Sequence, residues 1–270
     1  MIKSRVLRNL NLGEMVRVAK ISRLSDPWIF ELAGRCGFDA VWFDMEHRGF
    51  GYETIAPIAL ACRSTGIDLI VRILKDGYTS PMRVLEAGAS VVLIPHCRSA
   101  GEARQWARYC RFPPLGDRGF DGVGADADHG LADPAEYLRH ANRQVVVAVQ
   151  IEDQEAVESV EEIAGVEGVD VLFIGPGDLS ISYGIPFEWG HPVMLNAIAR
   201  VARAAERNRK SWGIASDSPK SAQMAVDLGA RLISCGSDHG WLVRGLQNAY
   251  DAFREVRPST SAAICVAQDG

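Results

Sequence analysis

The sequence predicts an α/β protein of the (β/α)8 TIM-barrel class, on three observations. Eight short apolar or β-branched runs recur along the 270 residues. The segments between most of them carry apolar residues at helical spacing and stop at Gly, which follows the last turn of many helices. The runs are continuously apolar instead of alternating, as strands of a parallel sheet buried on both faces are. Eight βα units in roughly 250 residues match a barrel in count and length. A doubly wound sheet is the alternative.

Taken in order, the strand candidates are "MVRVAKI" (15–21), "DAVWFD" (39–44), "DLIVRI" (68–73), "SVVLIP" (90–95), "QVVVAVQI" (144–151), "VDVLFIG" (169–175), "SWGIAS" (211–216) and "RLISCG" (231–236). Helical spacing is clearest in "DPWIFELAGRCG", "TSPMRVLEAGA" and "SPKSAQMAVDLGA". Three helix starts place Ser or Asp before Pro, which suits an N-cap followed by the first helical residue. No Gly/Ser/Pro-rich linker divides the chain, so residues 1–258 are expected to form one barrel domain, with 259–270 as a tail. The longest irregular piece, "RFPPLGDRGFDGVGADADHGLADP" (111–134), follows the fourth strand. In a barrel that is a βα loop on the active-site face; a surface insertion is the other reading.

Composition removes several function classes. The chain is 47% hydrophobic and 23% charged with a net charge of -5, which leaves no electrostatic footprint for nucleic acid and no basic face for anionic lipid. Six cysteines form no CxxC pair and no ladder of short spacings, so reduced thiols are expected instead of a zinc ribbon or a disulfide framework. The N-terminus lacks a signal-peptide apolar region, and no run approaches the roughly 20 residues that span a bilayer. A soluble, cytoplasmic protein acting on small molecules is the expectation.

A barrel collects its chemistry where its strands end, so each exit can be read for polar groups. The second strand ends in "FDMEH", delivering Asp44, Glu46 and His47; the third delivers Arg72; the fifth Gln150 and Glu152; the sixth runs through "GPGD" to Asp178. Glu152 and Asp178 leave adjacent strands, where two carboxylates repel unless one takes a proton or a cation joins them. Oxygen ligands with room for water suit Mg²⁺ or Mn²⁺. Singly, each acid reads as a helix N-cap. In "IGPGDLS", Gly175 and Gly177 clear space beside free helix-start N–H groups that suit an anion, or form a plain Gly-Pro turn. A guanidinium inside a buried strand, as at Arg72, needs an anion, either a substrate or an internal carboxylate. His47, with Asp44 three residues earlier, reads as a base whose tautomer a carboxylate fixes. The other histidines, 96, 129, 140, 191 and 239, show no ligand spacing and read as surface or core residues. A metal, an arginine for an oxo-acid's oxygens and a nearby base together describe enolate chemistry.

In this order and spacing, "FDMEH", "VRI", "RFPPLGDRG", "VQIED" and "VEGVDVLFIGPGDLS" resemble the HpcH/HpaI family of metal-dependent (class II) pyruvate aldolases, which include 2-keto-3-deoxy sugar acid aldolases; the likeness runs from Leu32 to Arg244. The resemblance implies a divalent metal (Mg²⁺, Mn²⁺ or Co²⁺) on Glu152 and Asp178. It further implies that Arg72 and Gln150 contact the 2-oxo acid, that the N–H groups of Gly177 and Asp178 hold its carboxylate, and that the Asp44–His47 pair supplies the base. Glu86 corresponds to an acid that approaches the site from a neighbouring subunit, so a homo-oligomer, trimer or hexamer, is implied. Where the family commonly reads D-G-E-H with a small residue and Pro after it, this chain has Met45, Arg48 and Gly49, which shifts attention to the aldehyde pocket. Arg48 is either a selector of acidic aldehydes or a loop brace. The expected reaction is reversible cleavage of a 4-hydroxy-2-oxo acid into pyruvate, or a close analogue, and an aldehyde. A hydroxyacyl-CoA lyase and a non-catalytic barrel are the alternatives; the first needs a basic groove for adenosine phosphates, and no such cluster is evident in the sequence.

Overall fold

The structure, a computed structural model, describes residues 1–257. The segment 259–270, including the apolar stretch "AAICVA" that the sequence suggests as a packing surface, lies outside the described residues.

Eight parallel strands close into a barrel in sequence order, β1 to β8, with β1 pairing both β2 and β8. They are β1 Val16–Lys20, β2 Ala40–Asp44, β3 Asp68–Arg72, β4 Val91–Ile94, β5 Val146–Ile151, β6 Val171–Ile174, β7 Ser211–Ser216 and β8 Leu232–Ser237. All eight expected runs are strands, within one or two residues of their expected ends. Between them run α2 (Pro27–Arg35), α3 (Ile55–Ser64), α4 (Thr79–Glu86), α5 (Ala100–Cys110) and α6 (Pro134–Gln144). The second half carries α7 (Gln154–Glu158), α8 (Val160–Ala164), α9 (Pro176–Ser182), α10 (Pro192–Arg207), α11 (Pro219–Asp227) and α12 (Asp238–Phe253); α1 (Arg5–Asn11) precedes β1.

The two-residue period of each strand sorts its side chains between two cores. Val16, Val18, Ala40, Trp42, Ile70, Ala148 and Phe173 fill the barrel interior. Their neighbours Ala19, Val41, Phe43, Val71 and Val149 face outward into a second core beneath the helices, with Phe30, Ile58, Val84 and Val201. That double burial is why the strands read as unbroken apolar runs. Asp26, Asp133 and Ser218 each accept a hydrogen bond from the first turn of α2, α6 and α11, with Pro at the helix start; such a cap is worth about 1 kcal/mol.

Two parts differ from the sequence reading. Helix α1 plugs the base of the barrel: Val6 is fully buried against the interior core, and the Asp68 carboxylate at the start of β3 accepts from Ser4 Oγ at 2.6 Å and Val6 N at 2.8 Å. The segment 111–134 is not a βα loop on the active-site face. Helix α5 intervenes, so the segment leads from a helix back to the start of β5. Arg111 donates to Val145 O (2.7 Å) and to Asp170 (2.8 Å), at the beginnings of β5 and β6. Among the described residues, no helix is long and apolar enough to cross a membrane, and the five described cysteines are free.

Candidate active site

In β1, β2, β3 and β5 the inward series changes from apolar to polar in its last step. Beyond Val16 and Val18 comes Lys20, beyond Ala40 and Trp42 comes Asp44, beyond Ile70 comes Arg72, and beyond Val146 and Ala148 comes Gln150. Register does the rest, since Asp44 and Arg72 are direct partners across β2 and β3. The polar layer therefore sits where the strands end, above a packed apolar floor.

Arg72, 3% exposed, grips Asp44 with both arms: Nε to Oδ1 at 2.9 Å and Nη2 to Oδ2 at 2.6 Å. Its remaining nitrogen, Nη1, lies 2.9 Å from Glu46 Oε2 and donates to Gln150 Oε1 at 3.4 Å. The Gln150 amide in turn donates to Glu152 Oε2 at 2.8 Å. Burial works against the Asp44 carboxylate, but hydrogen bonds and charge from Arg72, with the charge of Lys20, hold it below the usual aspartate range. This ion pair meets the guanidinium's need for an internal anion, while Nη1 is turned to Glu46 and Gln150.

Asp44 does not orient the His47 imidazole. Its Oδ1 accepts from the backbone N–H groups of Glu46 (3.1 Å) and His47 (3.4 Å), and Arg72 takes both oxygens. The expected tautomer-fixing contact is replaced by a turn that fixes the backbone. The His47 ring, 53% exposed, has its Nε2 3.8 Å from Glu46 Oε2. Arg48 is a loop brace, donating to Ser22 O at 2.9 Å and to His47 O at 2.5 Å.

Glu152 is 1% exposed, and its carboxyl is pushed up to about 7. Burial raises it and the charge of Asp178 adds to the rise, against the His96 N–H and ring and Arg72, which lower it. A buried acid that feels a second carboxylate is relieved by taking up a proton or by a cation shared between the two. Glu152 and Asp178 offer carboxylate oxygen, which hard divalent ions prefer, while Gln150 turns its NH2 group to Glu152 and its oxygen to Arg72. Gly175 makes the approach possible: a Cβ there would overlap Glu152 Oε2 outright and reach Glu152 Cβ at 2.9 Å. Gly175→Ala is therefore expected to displace Glu152 and weaken Mn²⁺ binding by about 10-fold or more, the range for disturbing a ligand's support. Titration calorimetry on a variant of unchanged circular dichroism reads this; unaltered affinity would mean that Glu152 needs no such fit. Among the described residues, no group of three or more His, Cys, Asp or Glu is placed to hold a metal. Gly177 and Asp178 occupy the first turn of α9 after Pro176, where N–H groups have no partner within the helix.

The sequence reading missed His96. It follows β4 in the left-handed conformation (φ 44°), rare for a residue with a Cβ. From there its N–H donates to Glu152 Oε1 at 2.8 Å, its Nδ1 meets Asp153 Oδ2 at 3.1 Å, and its Nε2 lies 3.7 Å from Glu46 Oε1. Burial lowers its pKa, but Glu152, Asp153 and Glu46 together raise it above the ordinary value. Arg98 steadies Asp153 at 3.1 Å. Reading the exit of the fourth strand, "LIPHC", by the rule applied to its neighbours would have found it.

Glu86 is the residue one chain does not bring in. It ends α4, and α4 runs from the end of β3 back toward the start of β4, so Glu86 sits at the helix end away from the strand exits. There burial raises its pKa; Arg118 counters, while Asp126 and Asp121 add to the rise.

The match to known proteins decides the family. The model of the HpcH/HpaI aldolase/citrate lyase family covers residues 22–244. The chain belongs to this family. A hydroxypyruvate/pyruvate aldolase of Pseudomonas aeruginosa is 32% identical over 90% of this chain and 90% of its own length. A 5-keto-4-deoxy-D-glucarate aldolase of Shigella boydii is 31% identical over 90% and 94%. The crystal structure of an HpcH/HpaI aldolase/citrate lyase family protein from Burkholderia cenocepacia superposes with a TM-score of 0.87 at 30% identity, covering 93% of this chain and all of that one. As a member of the HpcH/HpaI family, the chain is an enzyme of the aldolase type, a carbon–carbon lyase, which sets aside the non-catalytic barrel.

Proposed function

We propose that this enzyme is a class II pyruvate aldolase, cleaving a 4-hydroxy-2-oxo acid reversibly into pyruvate, or a close analogue, and an aldehyde. The observation that carries the reading is the connected chain Asp44–Arg72–Gln150–Glu152, with Asp178 acting on its last member. Glu152 and Asp178 would hold a divalent cation, Mg²⁺, Mn²⁺ or Co²⁺, which when bound supplies a Lewis acid for the substrate carbonyl. Arg72 Nη1, kept in place by the Asp44 pair, donates to the oxo-acid oxygen as negative charge grows there, acting as an oxyanion site does. Gln150 orients the same oxygens, and the N–H groups of Gly177 and Asp178 receive the carboxylate. His47, at the open edge, carries the proton between the aldol hydroxyl and solvent, directly or through water.

The test is a screen of 4-hydroxy-2-oxo acids with pyruvate release as readout, with and without exhaustive chelation followed by Mn²⁺. Release that stops on chelation and returns with metal supports the reading. Release that is indifferent to chelation removes the metal from it.

The enzyme is further proposed to act as a homo-oligomer, a trimer or hexamer, in the cytoplasm. Leu242, Leu246, Tyr250 and Phe253 recur at helical spacing along α12 and are all exposed, an apolar stripe that a second copy of this chain would cover. Within such an assembly a neighbouring subunit's copy of Glu86 is the acid the family resemblance assigns to the site. Sedimentation velocity is expected to give a discrete oligomer that dissociates on Leu246→Asp with Tyr250→Asp; a wild-type monomer of full activity would contradict this.

A further inference from the structure

Lys20 ends β1 on the inner face, and its Nζ lies 4.2 Å from the centroid of the Trp42 ring in the barrel mouth. Among the described residues, no carboxylate stands within 4 Å of that ammonium, and the nearby acids are committed elsewhere. Both Asp44 oxygens are held by Arg72. Asp238 accepts from the N–H groups of Ser22, Arg23 and Leu24 at 3.0, 2.6 and 3.1 Å through one oxygen and from His239 N at 2.8 Å through the other. An enclosed cation without an anion is costly, and the cost is removed when a ligand brings one. Burial first, and the charge of Arg72 second, push the Lys20 pKa down, with Asp44 and Asp238 opposing the fall from a distance.

The side chain also lines a cavity of about 340 Å³ beside the exits of β7 and β8. Its lining mixes the apolar Met194, Ile198 and Met224 with the hydroxyls of Ser216 and Ser237. Arg244 adds a second cation and Asp217 an acid, so positive charge is in excess. The Arg72 layer lies close enough for its charge to reach Lys20, whereas Arg48 spends its guanidinium on backbone carbonyls.

We propose that Lys20 is the specificity-determining cation of the aldehyde half: the enzyme takes 2-oxo acids whose aldehyde fragment bears its own carboxylate, which Lys20 holds in the cavity beside β7 and β8. The inference rests on the aldolase reading above and names the substrate class for it. A charge-assisted hydrogen bond in an enclosed site separates an anionic aldehyde from a neutral one of equal size.

The experiment compares aldol addition of pyruvate, with Mn²⁺, to two matched pairs: glyoxylate against glycolaldehyde, and succinic semialdehyde against butanal. Wild type, Lys20→Met and Lys20→Arg are each assayed, with circular dichroism as a check on folding. In Lys20→Met the anionic-to-neutral ratio of kcat/KM is expected to fall by about tenfold or more. The loss should fall mainly on KM for the anionic aldehyde, and Lys20→Arg should recover part of it. An unchanged ratio, equal losses for both aldehydes, or a rise confined to the pyruvate KM would overturn the proposal. Deuterium exchange at C3 of pyruvate by the wild type, without aldehyde, separates the two levels. Absent exchange overturns the aldolase reading and this inference with it, whereas exchange with an unchanged ratio overturns the inference alone.

Discussion

Asp178→Asn is expected to lose divalent metal and catalysis together. The amide keeps the size and removes the charge, so Glu152 is relieved of its repulsive neighbour and a cation loses one of two anionic ligands. Two carboxylates are few for a hard cation that keeps much of its water, so loss of one is not made good by others. Among the described residues, no third acid, His or Cys completes a metal cluster. Turnover should fall by about 10³-fold or more, the order of several kcal/mol of charge stabilisation at the carbonyl. Asp178 half-emerges in the first turn of α9 and is not part of the packed core, so thermal stability without metal should stay near that of the wild type. Calorimetric Mn²⁺ titration with parallel rate measurement checks both; metal bound at wild-type affinity would remove Asp178 from the ligand set.

The second large effect is at Arg72, where function and stability are entangled and can be separated. Arg72→Ala deletes the donor to the developing oxyanion, which should cost about 10²-fold or more in kcat. It also strands Asp44, fully buried with a carboxylate no longer paired. Removing one member of a buried pair costs about 3–5 kcal/mol. The double variant Asp44→Asn with Arg72→Met relieves the stranded charge, so urea unfolding should show stability largely regained while activity stays lost. If Arg72→Ala ran near the wild-type rate, the residue would be structural only. If the double variant were no more stable than Arg72→Ala, the pair would not be the source of the destabilisation.

The barrel was legible because its strands are buried on both faces and its helices are punctuated by Gly and Pro. A run such as "DLIVRI" then admits few readings, and Asp26, Asp133 and Ser218 mark helix starts by chemistry that acts locally. Helix α1 was not legible, since what fixes it is Asp68, some sixty residues away. The sequence leaves 111–134 between two readings, because placing a loop on one end of a barrel requires counting the helix before it, and α5 is weakly marked at its close. In the candidate site, the meeting of Arg72, Gln150 and Glu152 is legible because the strand period fixes where an exit residue points. The partnership between Asp44 and His47 was misread because proximity in sequence does not say which group a carboxylate faces. Arg72, in register on the next strand, has the stronger hold. His96 is not legible from spacing within the chain, because its partners Glu46, Glu152 and Asp153 come from other strand exits. Lys20 escaped notice for a similar reason: what singles it out is that Asp44 and Asp238 are already engaged.

The central claim is that this mouth enolises a 2-oxo acid with the help of a cation held by Glu152 and Asp178. Proton–deuterium exchange at C3 of pyruvate, followed by NMR in D₂O, tests it without knowledge of the aldehyde. Exchange is expected with Mn²⁺ or Mg²⁺, none after exhaustive chelation, recovery on adding metal back, and none in Asp178→Asn. Exchange that continued undiminished in the chelated enzyme, or wild-type enzyme with metal that exchanged nothing, would contradict it.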